Sequence, residues 1–288
     1  MTKRTLNGEL ILAGHRVRAL SIGGQETCID LPDLKVAFDV GRSPQWLTHR
    51  KTILFTHSHV DHMSGIISHC AMRGLLNVAP PTYVVPRESV AGLELAFKAW
   101  RLLDGSDLAH DLVPIGPGDE YPLSPRLFAR AFRSHHSAPC QGYVLVSVNK
   151  KLKPEYRELS SEAIRDLRLD EGVEVSEEVQ QAEVVFVGDT RIEVVEQEPV
   201  VRTARLLILE VTFLDDRVSI EQAREMGHIH LDEVIERTDL FENEAILFTH
   251  FSARYRAPEI AKILKDKLPP SLRERVTPLL TGHGPMEL

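Results

Sequence analysis

Thr56-His57-Ser58-His59-Val60-Asp61-His62 sets three imidazoles and one carboxylate within six consecutive positions, 57–62. It directly follows Ile53-Leu54-Phe55, a short apolar run that reads as a buried strand. Side chains leaving a strand end can fan into one crevice. Imidazole and carboxylate suit zinc, and also manganese or iron. So dense a set exceeds what one tetrahedral ion with an open position needs. It points to two ions sharing a cluster.

More residues of ligand type stand just beyond apolar, strand-like segments. His136 ends the segment 128–134. Asp189 follows 184–187 within Gly188-Asp189-Thr190. His250 ends Ile246-Leu247-Phe248-Thr249. Read singly, Asp189 is a turn residue and the histidines are ordinary strand ends. Together they deliver polar ligands to one edge of an otherwise apolar sheet pair, an arrangement that metal binding explains.

Composition bounds the reading. The chain has 288 residues, 43% of them apolar, enough for a sizeable core. No apolar run approaches the ~18 residues that span a bilayer. Residues 1–8 carry no apolar signal core. The three cysteines, Cys28, Cys70 and Cys140, form no C-x-x-C pair. They suit a reduced cytoplasmic or nuclear setting, with no disulfide framework. Cys140 lies near a candidate ligand and reads as a buried apolar thiol. The net charge of −8 argues against gripping nucleic acid with the whole surface. It leaves room for a local basic strip.

Strand-like segments at 17–22, 27–31, 34–40, 82–85, 128–134, 142–148, 182–187, 206–211 and 245–249 alternate with helical ones at 64–75, 88–103 and 258–268. No repeat or linker interrupts them. One α/β domain over residues 1–288, two sheets flanked by helices, is the simplest architecture. Residues 151–182 break the rhythm. They hold five Lys or Arg against nine Asp or Glu, and they read as an inserted arm at about 150–181, basic at its start.

The pattern H-x-H-x-D-H at 57–62, then His136, Asp189 and His250, resembles the metallo-β-lactamase superfamily with its ligand set complete. The resemblance implies an αββα sandwich of two mixed β-sheets. It implies one ion held by His57, His59 and His136, another by Asp61, His62 and His250, and Asp189 bridging. Zinc is the expected metal. A hydroxide activated by the two ions would be the nucleophile. The superfamily spans many hydrolases, so the ligand set fixes chemistry and not substrate.

Further segments narrow the choice. Leu209-Glu210-Val211-Thr212-Phe213-Leu214, Gly227-His228-Ile229-His230 and Thr249-His250-Phe251-Ser252-Ala253-Arg254-Tyr255 occur in an order that resembles tRNase Z, the endoribonuclease that removes 3′ trailers from precursor tRNA. Asp39-Val40-Gly41-Arg42-Ser43-Pro44-Gln45 resembles that family's early loop more loosely. Nearly the whole chain is most similar to the plant-type short form. By this resemblance Glu210 orients His228, which protonates the leaving oxygen, and Asp61 belongs to the catalytic group. His230 reads as a capping residue or as a support behind the ligands, and His69, His110, His135 and His283 as surface or helix-end histidines. Ser252 and Arg254 are candidates to hold phosphate. Lys151, Lys153 and Arg157 are candidates to meet RNA, and a homodimer is implied. One departure stands out: the bacterial arm has a Gly-Pro-rich tip, whereas residues 150–181 hold only Pro154 and Gly172, so this arm is short or differently built. The alternative function is a small-molecule metallo-hydrolase such as a lactonase, thioesterase or cyclic-nucleotide phosphodiesterase, which would not need the Glu210–His228 pair. A silent nucleic-acid-binding scaffold is disfavoured because no ligand position is missing.

Overall fold

The computed structural model describes residues 3–4, 9–170 and 172–283. Residues 1–2 and 5–8, part of the segment read above as lacking a signal core, lie outside the described residues. Two mixed sheets form in sequence order. The first contains β1 (Lys3–Arg4), β2 (Leu10–Leu12), β3 (His15–Ile22), β4 (Glu26–Leu31), β5 (Val36–Phe38), β6 (Thr52–Leu54), β7 (Thr82–Pro86) and β8 (Asp111–Ile115). Pairing is antiparallel as far as β5 and parallel beyond it. The second contains β9 (Glu120–Ser124), β10 (Leu127–Ser134), β11 (Cys140–Leu152), β12 (Ser176–Phe186), β13 (Leu206–Glu210), β14 (Ala245–Thr249) and β15 (Val276–Pro278). It is antiparallel as far as β12 and parallel after it.

The continuous apolar runs follow from burial on both faces. Leu54 packs between the sheets, while Ile53 and Phe55 turn the other way onto helices. Val184, Phe186, Leu206 and Ile208 also face the inter-sheet core, and Val185, Val187, Leu207 and Leu209 face the opposite helical layer. Successive strand side chains alternate between faces, so each run feeds two cores at once. Full burial of each such side chain is worth about 1.5–3 kcal/mol. Helices α1 (Val60–Met63), α2 (Ile66–Leu75) and α3 (Val90–Asp104) cover the first sheet through Met63, Ile66, Leu93 and Phe97. Helix α4 (Ser161–Leu169) belongs to the arm. The second sheet is covered by α5 (Glu193–Gln197), α6 (Pro199–Thr203), α8 (Leu231–Glu236), α9 (Ala257–Lys267) and α10 (Pro270–Arg273), while α7 (Ile220–Glu225) packs in a small satellite cluster. The layers are helix, sheet, sheet, helix, as the resemblance implied. Among the described residues no helix is long and apolar enough to cross a membrane.

Strands β8 and β9 are absent from the sequence reading, because each carries a proline, Pro114 and Pro122. Both are outer strands of their sheets, where a missing ladder N–H is tolerated. The arm is a two-stranded ribbon. Strands β11 and β12 stay paired out to Leu152 opposite Ser176, beyond the body of the sheet, and a short 3-10 turn at Pro154–Tyr156 and α4 close it. Lys151 stands opposite Glu177 and Lys150 opposite Glu178. This ribbon has no core beneath it, so its strands lack the apolar signal that marks 182–187.

Candidate metal centre

The ends of β5, β6, β10, β12, β13 and β14 open toward one side. A crevice outside the carboxyl ends of strands is where open α/β sheets hold ligands. β5 leads to Asp39, β6 to His57, β10 to His136 and β12 to Asp189. β13 ends on Glu210, and β14 leads to His250. Backbone contacts close the edge between the sheets: Gly23 N–H donates to Phe251 O at 3.0 Å.

The seven residues expected as ligands converge. Ligand atoms of His57, His59, His136 and Asp189 lie within 4.8 Å of one another, as do those of Asp61, His62 and His250. Asp189 faces both groups. Its Oδ1 is 3.2 Å from His62 Nε2 and 3.5 Å from His250 Nε2, and its Oδ2 is 3.7 Å from His57 Nε2 and 4.0 Å from His136 Nε2. Asp61 Oδ2 reaches His250 Nε2 at 3.5 Å and accepts the Gly24 N–H at 2.9 Å.

The outer hydrogen bonds fix which ring nitrogen looks inward. Thr56 Oγ1 donates to Asp39 Oδ2 at 2.8 Å, so it can only accept from His57 Nδ1–H at 3.0 Å. Thr212 Oγ1 donates to Glu210 Oε2 at 2.7 Å and accepts from His250 Nδ1–H at 3.0 Å. Asp39 accepts from His62 Nδ1–H at 2.8 Å, and the Gly227 carbonyl from His136 Nδ1–H at 2.8 Å. Four Nε2 lone pairs are thereby aimed into the crevice, the outer-shell support that metal-binding histidines receive. Gly227 adopts φ +81, and a Cβ there would meet His136 Nδ1 at 2.7 Å, so this carbonyl contact requires glycine. Asp39 and His250 hold φ of 53° and 59°, left-handed conformations that cost about 1–3 kcal/mol and cluster at functional sites. The His250 backbone N–H is held by Ser21 Oγ at 3.1 Å.

This donor set fits divalent metal ions. His57 Nε2 is buried and has no hydrogen-bond partner. His62 and His250 present their Nε2 atoms to each other at 3.3 Å, and His136 Nε2 faces His59 Nδ1 at 3.2 Å. With both Nδ1–H groups committed outward, the facing Nε2 lone pairs of His62 and His250 repel unless a cation lies between them. These separations approach the edge of a tetrahedron with ~2.1 Å metal–nitrogen bonds, about 3.4 Å. Burial opposes the charge on Asp189 and Asp61, yet the surrounding imidazoles hold both well below the usual carboxylate range. Burial pushes His57 well down. Thr212→Val is expected to keep the fold and weaken metal affinity about 10–100-fold, measured by chelator competition. Unchanged affinity would show that the Thr212 hydroxyl does not orient His250.

His228 joins the rim of the cluster. Its ring centre is 5.3 Å from that of His250 and 5.0 Å from that of His136. Its Nδ1–H donates to Glu210 Oε1 at 2.9 Å, which leaves Nε2 toward the crevice. Burial works against a charge on His228, but the Glu210 carboxylate outweighs it and raises the pKa to about 9. His230, two residues on, is turned away. It caps α8, its Nδ1 accepting from Asp232 N–H at 3.2 Å, as the sequence reading expected.

Ser252 lies half-buried near the same edge and Arg254 is exposed beyond it. Lys151, Lys153 and Arg157 are not brought to the cluster. The arm leaves the sheet at the end away from it, and the eleven residues from Phe186 back to Ser176 span roughly 33 Å. Placing an insertion between two ligand-bearing strands does not settle which end of those strands it leaves. His69 and His283, read as surface or helix-end residues, are buried, with His69 Nδ1 2.9 Å from the Tyr83 hydroxyl. The cysteines are free, Cys28 and Cys70 buried and Cys140 half-buried. The orienting roles of Asp39, Thr56, Thr212 and Gly227 escaped the sequence reading. Their one signal was position: Asp39, Thr212 and Gly227 fall inside the quoted resemblance segments.

Comparison with known proteins agrees with this geometry. The β-lactamase superfamily domain is matched over residues 32–251. The chain is 42% identical over 273 residues to tRNase Z TRZ1 of Arabidopsis thaliana, covering 94% of this chain and 97% of that protein. The metallo-β-lactamase fold protein YhfI from Bacillus subtilis aligns with a TM-score of 0.61 at 13% identity, covering 92% of this chain and 97% of that one. The human short-form tRNase Z aligns at 0.53 and 20% identity, covering 92% and 89%. These two show the fold alone. The chain belongs to the tRNase Z family of the β-lactamase superfamily.

Proposed function

We propose that the protein is a metal-dependent endoribonuclease that removes 3′ trailers from precursor tRNA. The observation that carries this reading is the Glu210–His228 pair, joined at 2.9 Å on the rim of a complete ligand set. A thioester expels a stable thiolate and has no need of a fixed proton donor beside the metal ligands. Expulsion of a ribose 3′-oxygen does.

His57, His59 and His136 would hold one divalent ion, Asp61, His62 and His250 a second, and Asp189 would bridge; zinc is the proposed metal. Such ions supply Lewis acidity toward phosphoryl oxygens and activate water at neutral pH. The chain's own residues do the rest. Glu210 positions the His228 ring. His228 Nε2 delivers a proton to the departing 3′-oxygen. Ser252 and Arg254 steady the phosphate. The products are a tRNA 3′-hydroxyl and a 5′-phosphorylated trailer. The proposal takes residues 1–288 as one domain with a short inserted arm, acting as a homodimer in the cytoplasm or nucleus. The family resemblance supports the dimer, and the free cysteines support a reduced compartment.

The far placement of the arm separates two kinds of RNA contact. Replacing Lys151, Lys153 and Arg157 by alanine is expected to raise KM for precursor tRNA and to lower its salt dependence, with kcat and hydrolysis of bis-p-nitrophenyl phosphate unchanged. Equal losses on both substrates would assign the ribbon to the fold instead. The function itself is tested by cleavage of a 3′-extended tRNA beside a lactone and a thioester. Turnover of the latter two with the tRNA intact would favour the small-molecule hydrolase.

A further inference from the structure

A cavity of about 470 Å³ adjoins the metal cluster and shares His136 with it. Its walls come from the end of β7, the turn before β9, the loop between β10 and β11, and the loop after Asp189. Pro86, Pro117 and Pro139 give it apolar sides, while Arg133 and Arg191 line it with positive charge. Glu88 is the carboxylate in the lining.

The cavity is held rigidly. Ser134 Oγ donates to the Val187 carbonyl at 2.5 Å, and His135 N–H to Thr190 Oγ1 at 2.9 Å. Arg191 N–H donates to the His135 carbonyl at 2.9 Å. These bonds staple the His136 and Asp189 loops together, so the cavity keeps its place relative to the cluster.

Its cations are uncommitted. Arg87, next to Pro86 in the lining, is paired with Asp119. By contrast, Arg133 and Arg191 form no ion pair among the described residues, and the Arg191 Nε is buried without a hydrogen-bond partner. A buried guanidinium N–H left unpaired carries a desolvation cost that a ligand oxygen would remove. In a chain of net charge −8, two free guanidiniums beside a metal cluster form a local anion site.

We propose that this cavity binds the phosphodiester next to the scissile one, with Arg191 and Arg133 on its oxygens and the proline wall against the adjoining ribose or base. The inference rests on the ribonuclease reading above and adds a subsite to it. The phosphate belongs either to the trailer or to the tRNA side of the cut.

Fluorescence anisotropy with a labelled single-stranded RNA tetranucleotide tests the site without requiring cleavage. Arg133→Ala and Arg191→Ala are each expected to weaken binding about 10-fold. Each should also reduce the slope of log affinity against log salt by about 0.7. Arg191→Lys should recover part of the affinity. Arg133 is exposed, so its variant reports even where Arg191→Ala fails to fold. Cleavage of precursors with one-nucleotide and longer trailers separates the two sources. A loss in kcat/KM confined to long trailers assigns the phosphate to the trailer, and a loss with both assigns it to the tRNA side. Unchanged affinity and slope in both alanine variants would overturn the subsite. A wild-type protein that binds the tetranucleotide through these arginines yet leaves tRNA uncut would defeat the ribonuclease reading and keep the subsite.

Discussion

Asp189→Ala is expected to strip the protein of at least one metal ion and to abolish hydrolysis of every phosphodiester, by about 10³-fold or more. The reason is its position. It is almost wholly buried, and its two oxygens face opposite halves of the cluster, Oδ1 toward His62 and His250, Oδ2 toward His57 and His136. No neighbour can replace it: Asp61 reaches only the His62 and His250 half. Precursor tRNA and bis-p-nitrophenyl phosphate should lose turnover together, because the defect lies in the shared centre. Elemental analysis beside both assays checks this. A variant that keeps its full metal content and its activity on either substrate would show that Asp189 does not bridge.

His228→Ala should behave in the opposite manner. Metal content and RNA affinity should persist, while cleavage of precursor tRNA falls by about 10²–10⁴-fold. The missing function is the proton for the ribose oxygen, so the defect should shrink on a diester with a p-nitrophenolate leaving group. Glu210 is proposed to act through His228, its carboxylate accepting from Nδ1–H at 2.9 Å. Glu210→Ala should therefore cost a comparable or smaller factor, and the double variant little more than His228→Ala alone. Glu210 also accepts from Thr190 N–H and from the Thr212 hydroxyl, so any loss beyond that factor reports displaced neighbours. If His228→Ala cleaves tRNA at the wild-type rate, the donor lies elsewhere and the most specific support for tRNA processing is gone.

The cluster was largely legible in the sequence because its residues follow strands buried on both faces. Ile53-Leu54-Phe55 and 184–187 are apolar without alternation, and a histidine or aspartate just after such a run stands out. The supports were harder to see. Asp39, Thr56 and Thr212 are short polar residues at strand ends, and nothing in their spacing says which ring they face. That is decided by the pairing of β5 with β6 and of β13 with β14. The subsite arginines were invisible for the same reason. Arg133 and Arg191 are far apart in the chain and line one cavity because the end of β10 and the loop after β12 are stapled together. The arm was detected as a break in composition, but its direction depends on which end of β11 and β12 extends, and a polar ribbon carries no apolar period to show it.

The Glu210–His228 pair is proposed to protonate the leaving oxygen as the metal centre cuts RNA at the 3′ end of tRNA. The most direct test is incubation of the metal-loaded protein with a 3′-extended tRNA, followed by mapping of the cut and its end groups, with a chelator control. The expected result is one cut at the trailer junction, a 3′-hydroxyl on the tRNA, a 5′-phosphate on the trailer, and loss of cleavage on chelation. An intact substrate, or cleavage that survives complete metal removal, would contradict it.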